Sequence, residues 1–273
     1  VTQNPSLLSS VSSKTVGFNF LTYMKGSKAG SVAYAQAVGE RGTWGVSSQF
    51  VGYGSMNETL PSGEVIGKMH AQDICVSGTY AYLLSDNWSG GATGKVIYSH
   101  YGDFTSCALA VDLGVNYFLP DQEFSLSAAA RNIGGQVKAF GDHHERLPFD
   151  LEVGFTKELG HAPISISVTL IDLTRWNKKY FYSTADKISG GRVLTNHFNL
   201  GVDVKPTKFL YVSAAYNFRR AYEMKAAGSS HAAGLSFGAG VQLKKFSAGL
   251  GYAKYHVGAP TLSFNIAYNF LKD

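Results

Sequence analysis

Apolar and polar residues alternate along most of this chain, and this two-residue period constrains the fold more than any other feature. The last strand-length stretch shows it most clearly. Every second side chain there is large and apolar: Leu262, Phe264, Ile266, Tyr268 and Phe270. The residues between them are small or polar. A period of two predicts β-strands that present one apolar face and one small or polar face.

Fourteen segments follow this period or a diluted form of it. We predict strands at 15–24, 31–39, 43–53, 72–83, 88–101, 105–118, 123–134, 149–157, 163–172, 195–204, 209–218, 230–241, 246–256 and 260–270. Connections after even-numbered strands are short, whereas several after odd-numbered strands are long: 54–71, 135–148, 173–194 and 219–229. Outer-membrane barrels sort their loops in this way, with the short turns in the periplasm. The sequence therefore predicts an all-β fold, a transmembrane antiparallel β-barrel of about 14 strands with periplasmic termini and extracellular long loops.

Composition agrees with a barrel and excludes membrane-spanning helices. Hydrophobic residues make up 45% of the chain, yet the mean hydropathy is only −0.04. No stretch approaches the roughly 18 consecutive apolar residues of a transmembrane helix, whereas a barrel strand needs apolar residues only at alternate positions. Residues 1–13 lack the features of a signal peptide, so we expect the chain to begin after processing or after a further upstream part. We assign 1–14 to an N-terminal periplasmic or lumen segment and 15–273 to the barrel, and whether the segment plugs the lumen stays open.

Aromatic residues offer a second indication of membrane insertion. Several lie at the short-turn ends of strands on the apolar face: Trp44, Tyr82, Tyr117, Phe124, Phe246, Tyr268 and Phe270. Aromatic girdles mark the two membrane interfaces of outer-membrane barrels. We therefore interpret these residues as an interfacial girdle.

The predicted inner face carries few charges: Asp112, Arg131, Asp150, Glu152 and Asp203. Asp150 and Glu152 share a face at a spacing of roughly 7 Å, which is compatible with general acid and base roles. Arg131 lies at the same level on the neighbouring strand, so we favour a lumen charge cluster of Arg131, Asp150 and Glu152. No nucleophile, base and orienting group can be nominated together. The sequence therefore predicts a protein that is not an enzyme.

The sequence gives little indication of a metal site, a disulfide bond or nucleic-acid binding. His143, His144 and Glu145 are adjacent in a predicted loop and cannot converge on one metal ion without a turn, so we predict no metal site and no cofactor. Cys75 and Cys107 fall on strands separated by another strand, and we expect two free thiols. Basic residues are spread over loops and turns, which argues against nucleic-acid binding.

Two predicted outer loops combine aromatic and basic residues, a mixture suited to protein contacts. The partner-binding candidates are Arg175, Trp176, Tyr180, Phe181, Tyr182, Arg219, Arg220 and Tyr222. Two alternatives stay open. The cationic side chains could meet the phosphates of lipopolysaccharide and other outer-membrane lipids, or the loops could simply pack on themselves.

Short motifs add a resemblance to a known group of barrels. Asn-Pro-Ser-Leu-Leu at 4–8 resembles the Asn-Pro-Ala segment that precedes the first strand in the FadL-like superfamily of outer-membrane barrels. The chain also resembles the PorQ family, barrel components of the type IX secretion system, in motifs that run in order across its first two thirds. These are Gly-Ser-Val-Ala-Tyr-Ala at 30–35, Asp-Leu-Gly at 112–114, Ala-Arg-Asn-Ile-Gly at 130–134, Leu-Pro-Phe at 147–149 and Leu-Gly-His-Ala-Pro-Ile at 159–164.

The resemblance implies a non-enzymatic anchor that holds the surface protein PorZ, in a cargo attachment complex that also contains PorU and PorV. Our first hypothesis is therefore that the long loops fix a surface partner. The second is a FadL-type channel for hydrophobic solutes, because the Gly, Ala and Ser residues of the inner face leave room in a barrel of this strand number.

Overall fold

The structure, a computed structural model, describes residues 3–23, 26–142, 144–181, 188–224, 233–256 and 259–271. It is a single sheet of antiparallel strands closed into a barrel, with each strand beside its neighbour in sequence. The strands are β1 Thr15–Thr22, β2 Lys28–Val38, β3 Gly42–Thr59, β4 Val65–Leu83, β5 Trp88–Tyr101, β6 Phe104–Leu119, β7 Phe124–Lys138, β8 Asp150–Leu159, β9 Ile164–Leu170, β10 Phe198–Thr207, β11 Leu210–Asn217, β12 Leu235–Gln242, β13 Phe246–His256 and β14 Ala259–Asn269. Thr15 of β1 pairs with Asn269 of β14, which closes the ring. The predicted fourteen-stranded barrel is confirmed.

The barrel places its large apolar side chains on the outside. In β6, Leu109, Val111, Leu113 and Val115 are 43–49% exposed, whereas the small or polar residues between them are buried. Soluble proteins rarely expose apolar patches of more than a few hundred Å², and here the pattern recurs on strands around the barrel. An apolar exterior around a small and polar interior is the arrangement of a barrel that faces lipid.

The girdle aromatics lie on this outward face. Trp44 shares its face with the exposed Val46, and Tyr82 shares its face with the exposed Tyr80. Tyr117 packs against Trp88, with ring centroids 4.9 Å apart, next to the short turn between β4 and β5. No helix among the described residues is long and apolar enough to cross a membrane.

The prediction of a long connection at 54–71 is wrong. β3 continues to Thr59 and β4 already begins at Val65, so only a tight turn separates them. The ladder crosses a bulge between Gly52 and Ser55, where Gly54 has a φ of 80°. Beyond the bulge side chains on both faces of the hairpin are exposed, so backbone pairing persists without the alternation on which the prediction relied.

The strand predicted at 195–204 begins too early, because a short helix, α1 (Gly190–Asn196), occupies its first residues. The hydroxyl of Ser189 accepts a hydrogen bond from the backbone N–H of Arg192 and caps this helix. A second short helix, α2 (Phe218–Glu223), follows β11 directly, and the side chain of Asn217 caps it in the same way. The strand predicted at 230–241 begins only at Leu235, and residues 230–232 lie outside the described ranges.

Candidate functional site

The N-terminal residues 4–11, here called the lumen segment, lie inside the barrel against β3, β4, β5 and β6. Pro5–Ser10 forms a short 3-10 helix, and the side-chain oxygen of Asn4 accepts the backbone N–H of Ser6 at 3.0 Å to cap it. The Asn4 amide nitrogen donates to the carbonyl oxygens of Val115 at 3.3 Å and Ala128 at 3.5 Å. Asn4 therefore fastens the segment to β6 and β7.

Two glycines form the seat of the lumen segment. Gly91 and Gly114 face each other across β5 and β6. A Cβ atom at Gly91 would lie 2.6 Å from the backbone nitrogen of Ser6, and one at Gly114 would overlap the side chain of Asn4. The hydroxyl of Ser89 donates to the carbonyl oxygen of Ser6 at 3.3 Å beside this seat. The segment fits here because the wall carries no side chains at these two positions.

Apolar contacts hold the other end of the lumen segment. Leu8 is 1% exposed and packs with Ala35 and Ala81, which point inward from β2 and β4. Val11 packs against the same cluster. Together with the glycine seat, these contacts fix residues 4–11 near the short-turn end of the lumen.

A cavity of about 300 Å³, here called the uncharged chamber, lies between the lumen segment and the wall formed by β14, β1, β2, β3 and β4. Leu8 and Val11 face it from the segment, and small residues such as Gly17, Ala33 and Ala267 face it from the wall. The residues that line it include no Asp, Glu, Lys, Arg or His. Its chemistry suits a neutral guest, because burying an unpaired charge is costly.

A second cavity, of about 180 Å³ and here called the charged chamber, is bordered by Gln3, Lys95 and Arg131. Ser47 and Thr79 border both chambers, so the two are neighbours along β3 and β4. These two chambers thus differ in charge, because the uncharged chamber has no Asp, Glu, Lys, Arg or His in its lining and the charged chamber has two cationic side chains.

Lys95 is paired and mostly shielded, with its side chain 12% exposed. Its ammonium group forms an ion pair with Asp112, whose side chain is 1% exposed, and donates to the Asn132 side-chain oxygen at 3.2 Å. Asn132 sits in a bulge of β7 with a φ of 56°, and its backbone N–H donates to Asp112 at 2.8 Å. The sequence prediction named Asp112 but missed Lys95, because Gly and Ser dilute the alternation in β5.

The three residues predicted as a lumen charge cluster lie close together. Arg131 pairs in register with Asp150 across β7 and β8, and its guanidinium contacts the Glu152 carboxylate at 2.7 Å. Glu152 is engaged with Arg131, as expected for a charge cluster, and the acid and base alternative for Asp150 and Glu152 stays a prediction. Both cations of the charged chamber have a carboxylate partner.

At the long-loop rim of the barrel, Arg219 joins the two loops that carry the partner-binding candidates. Its guanidinium forms ion pairs with Asp172, in the loop after β9, and with Glu223 of α2, at 2.9 Å. The Tyr180 hydroxyl donates to Asp172 at 3.2 Å, and the guanidinium carbon of Arg219 lies 4.6 Å from the centre of the Tyr180 ring. Arg175 lies over the same ring at 4.7 Å. We call Asp172, Arg175, Tyr180, Arg219 and Glu223 the rim cluster.

The other candidates differ in exposure. Phe181 is 3% exposed and packs with Ile188 and Val193 below the rim cluster. Trp176 is 52% exposed, although its indole N–H donates to the Leu173 carbonyl oxygen at 2.7 Å. Tyr222 lies under the guanidinium of Arg192 at 4.3 Å. Among the candidates, Trp176 thus presents a large apolar surface to the outside.

Arg220 is partly buried in α2, and its backbone N–H completes the cap with Asn217. Tyr182 lies outside the described residues, as does His143 of the predicted loop triplet. Among the described residues, no group of three or more His, Cys, Asp or Glu is placed to hold a metal ion.

Cys75 and Cys107 are free thiols in the structure. Cys75 borders the charged chamber, whereas Cys107 pairs in register with the outward-facing Tyr98. The two side chains lie on opposite faces of the wall, with β5 between their strands.

Sequence reasoning missed the most specific features of the lumen. The seat at Gly91 and Gly114 cannot be recognised from the sequence around these glycines. The need for glycine at both positions comes from their contacts with Asn4 and Pro5, which are distant in sequence. The Asn-Pro pair at 4–5 was noticed only as a resemblance. A search for inward glycines on adjacent strands at the same level would have found the seat.

No protein-family model matches this chain, and no curated protein matches it in sequence. Solved structures do match. The toluene transporter TodX of Pseudomonas putida aligns with a TM-score of 0.58 and 10% identity, over 97% of this chain and 91% of TodX. A FadL homologue of Pseudomonas aeruginosa aligns with 0.55 and 11%, over 98% and 93%. CymD, a monoaromatic hydrocarbon channel, aligns with 0.59 and 11%, over 98% and 92%. The chain therefore has the fold of the FadL-type outer-membrane barrels.

Proposed function

We propose that this protein is a non-enzymatic outer-membrane channel for hydrophobic solutes. The observation that carries the proposal is the uncharged chamber inside a lipid-facing barrel, with Leu8 and Val11 on one side and small wall residues on the other. An apolar solute gains free energy when it leaves water for such a surface, whereas an ion would lose its hydration without a counter-charge.

The fold supports the same proposal. TodX is a toluene transporter and CymD a monoaromatic hydrocarbon channel, and both share the barrel architecture. In this chain the lumen segment stands between the two ends of the barrel. We propose that solutes enter from the long-loop side, reach the uncharged chamber, and pass when the lumen segment moves.

Uptake by intact Gram-negative cells tests the proposal, because the lipopolysaccharide layer slows hydrophobic compounds. Cells that produce the barrel should take up radiolabelled toluene several-fold faster than cells that produce an equal amount of an unrelated closed barrel. Equal initial rates, with equal amounts of folded barrel in the outer membrane, would refute the channel.

A second candidate is the anchor for a surface partner, PorZ, together with PorU and PorV. The exposed Trp176 favours it, since aromatic residues with neighbouring arginines are enriched at binding hot spots. Phe181 is buried within the protein and contributes packing, so the contact surface would centre on Trp176.

Co-purification separates the anchor from the channel. If the loop is an anchor, Trp176→Ala should weaken recovery of PorZ with the barrel at least tenfold and leave toluene uptake unchanged. Recovery equal to that of the wild type would count against this loop. Loss of binding to lipopolysaccharide alone would assign the surface to lipid instead.

A further inference from the structure

We infer that the short-turn end of the barrel binds anionic phospholipid on one side only, at four lysines of the segments beside β10–β14 and β1. We call Lys14, Lys208, Lys244 and Lys245 the lysine rim. The inference concerns the membrane face of the protein and goes beyond the proposed channel. It does not depend on whether solutes cross the lumen.

The lysine rim comes from neighbouring parts of the barrel. One lysine lies in the turn between β10 and β11, two lie in the turn between β12 and β13, and the fourth directly precedes β1. The carbonyl oxygens of Lys245 and Lys14 accept the backbone N–H groups of two consecutive residues, Asn269 at 2.8 Å and Phe270 at 3.1 Å. β10 to β14 and β1 are neighbours in the sheet, and adjacent strands lie about 4.8 Å apart. The four lysines therefore occupy one arc of the short-turn end.

The opposite arc of the same end is acidic. Segments 11–15, 205–210 and 241–246, which carry the lysine rim, contain no Asp or Glu. The connections between β2 and β7, in contrast, hold one exposed cation, Arg41, and several exposed acids: Glu40, Asp86, Asp121 and Glu123. An anionic headgroup is attracted by the first arc and repelled by the second.

The cations of the lysine rim are available to a ligand. Lys14, Lys208 and Lys244 are exposed, and within the part of the chain that the structure describes none of these three forms an ion pair. Lys205, the next cation along the chain, differs because it is already paired with Glu158 of β8 at 2.9 Å. The positive charge of this arc is thus not neutralised by those carboxylates.

The lysine rim also borders the lipid-facing surface. The large apolar side chains beside it are 37–59% exposed: Phe209, Leu243, Phe246 and Phe270. Phe246 pairs in register with Tyr268 on the outward face. Lysines at such a boundary keep their ammonium groups in the headgroup layer and attract anionic lipids. A phospholipid matches both the lysines and the apolar residues, whereas a soluble acidic protein would match the lysines alone.

Tryptophan fluorescence can report on each arc separately, because brominated acyl chains quench only nearby indole rings. Trp88 is 46% exposed and follows the turn that contains Asp86, so it reports on the acidic arc in a chain with Trp44→Phe and Trp176→Phe. For the lysine rim, Phe246→Trp is combined with the replacement of all three native tryptophans by phenylalanine. Each chain then has one reporter at the short-turn end.

Quenching is measured in phosphatidylcholine vesicles that contain either brominated phosphatidylglycerol or brominated phosphatidylcholine. At the lysine rim we expect phosphatidylglycerol to bind roughly threefold more strongly than phosphatidylcholine, and at Trp88 we expect no such preference. The combined change Lys14→Gln, Lys208→Gln, Lys244→Gln and Lys245→Gln should bring the ratio at the lysine rim to about one, since the attraction comes from these charges.

A matched control removes as many exposed lysines from the long-loop end: Lys28→Gln, Lys68→Gln, Lys178→Gln and Lys179→Gln. This control should keep the wild-type ratio, which separates a local site from an effect of net charge. Electrophoretic mobility without heating confirms that each variant is a folded barrel.

The inference is overturned if both reporters show equal preference for phosphatidylglycerol, if the preference survives the loss of the lysine rim, or if the control loses it equally. A reporter at the lysine rim that shows no preference at all would also overturn it, and would leave these lysines to an acidic protein.

Discussion

The lumen segment lies inside the barrel near its short-turn end and the rim cluster lies at its long-loop end, and different forces hold them. The segment is fixed by shape, because Asn4 and Pro5 occupy the space left by missing side chains at Gly91 and Gly114. The rim cluster is fixed by charge, with Arg219 bonded to Asp172 and Glu223 and stacked on Tyr180. The lumen segment should therefore be displaced when one methyl group is added to its seat, whereas the rim cluster should come apart when one charge is removed.

The largest effect should come from adding a side chain to the seat of the lumen segment. Gly114→Ala places a Cβ where the Asn4 side chain lies, and overpacking of this kind costs roughly 3 kcal/mol. We expect the segment to leave its seat and the ion conductance of the barrel in planar bilayers to rise several-fold. Gly17→Ala is the control, because its Cβ has free space. Unchanged conductance of Gly114→Ala would show that the segment does not close the lumen.

Removing the central charge of the rim cluster should have the next largest effect, confined to the outer loops. Arg219→Ala deletes two ion pairs, and hydrogen bonds to charged groups contribute roughly 1.5–3 kcal/mol each. We expect several-fold faster proteolysis within 171–197 and no change in conductance. Arg219→Lys should be intermediate, since an ammonium group cannot reproduce the guanidinium geometry. A rise in conductance would mean that the rim cluster also controls the lumen.

The smallest effect should follow from weakening the fastening of the lumen segment without altering its seat. Asn4→Ala removes the cap of the 3-10 helix and the bonds to Val115 and Ala128, and loss of such a cap costs roughly 1 kcal/mol. Backbone amides of 6–8 should exchange with deuterium about fivefold faster, while the amide of Phe181 keeps its wild-type rate. Equal acceleration at Phe181 would show that the two regions are coupled.

Parts of the molecule differ in how well their structure could be predicted from the sequence. Strands such as β6 were predicted nearly to the residue, because each of their faces meets a different environment along the whole span. The extension of β3 to Thr59 was missed because its side chains are exposed on both faces and so do not alternate. Aromatic and basic residues at 175–182 and 219–222 were noticed, but the burial of Phe181 depends on Ile188 and Val193 from the same loop.

The lumen was the least predictable part. The alternation along the strands predicts that the side chains of Asp112 and Arg131 point into the barrel. The pairing of Lys95 with Asp112, however, depends on the bulge at Asn132, which has no clear sequence signal. The uncharged chamber arises from residues on five strands and the N-terminal segment. Such a site becomes visible only when the barrel is closed and the segment is in place.

Crystals of the barrel soaked in bromobenzene test the central claim most directly, because anomalous scattering locates the bromine atom. We predict a peak in the uncharged chamber, between Leu8 and the wall of β14, β1, β2, β3 and β4. The peak should be absent from Gly17→Leu, whose added side chain fills the chamber, and present in Gly201→Leu, which adds the same bulk elsewhere in the lumen. Bromine found only in the charged chamber or on the lipid-facing exterior would contradict a channel that takes hydrophobic solutes through this site.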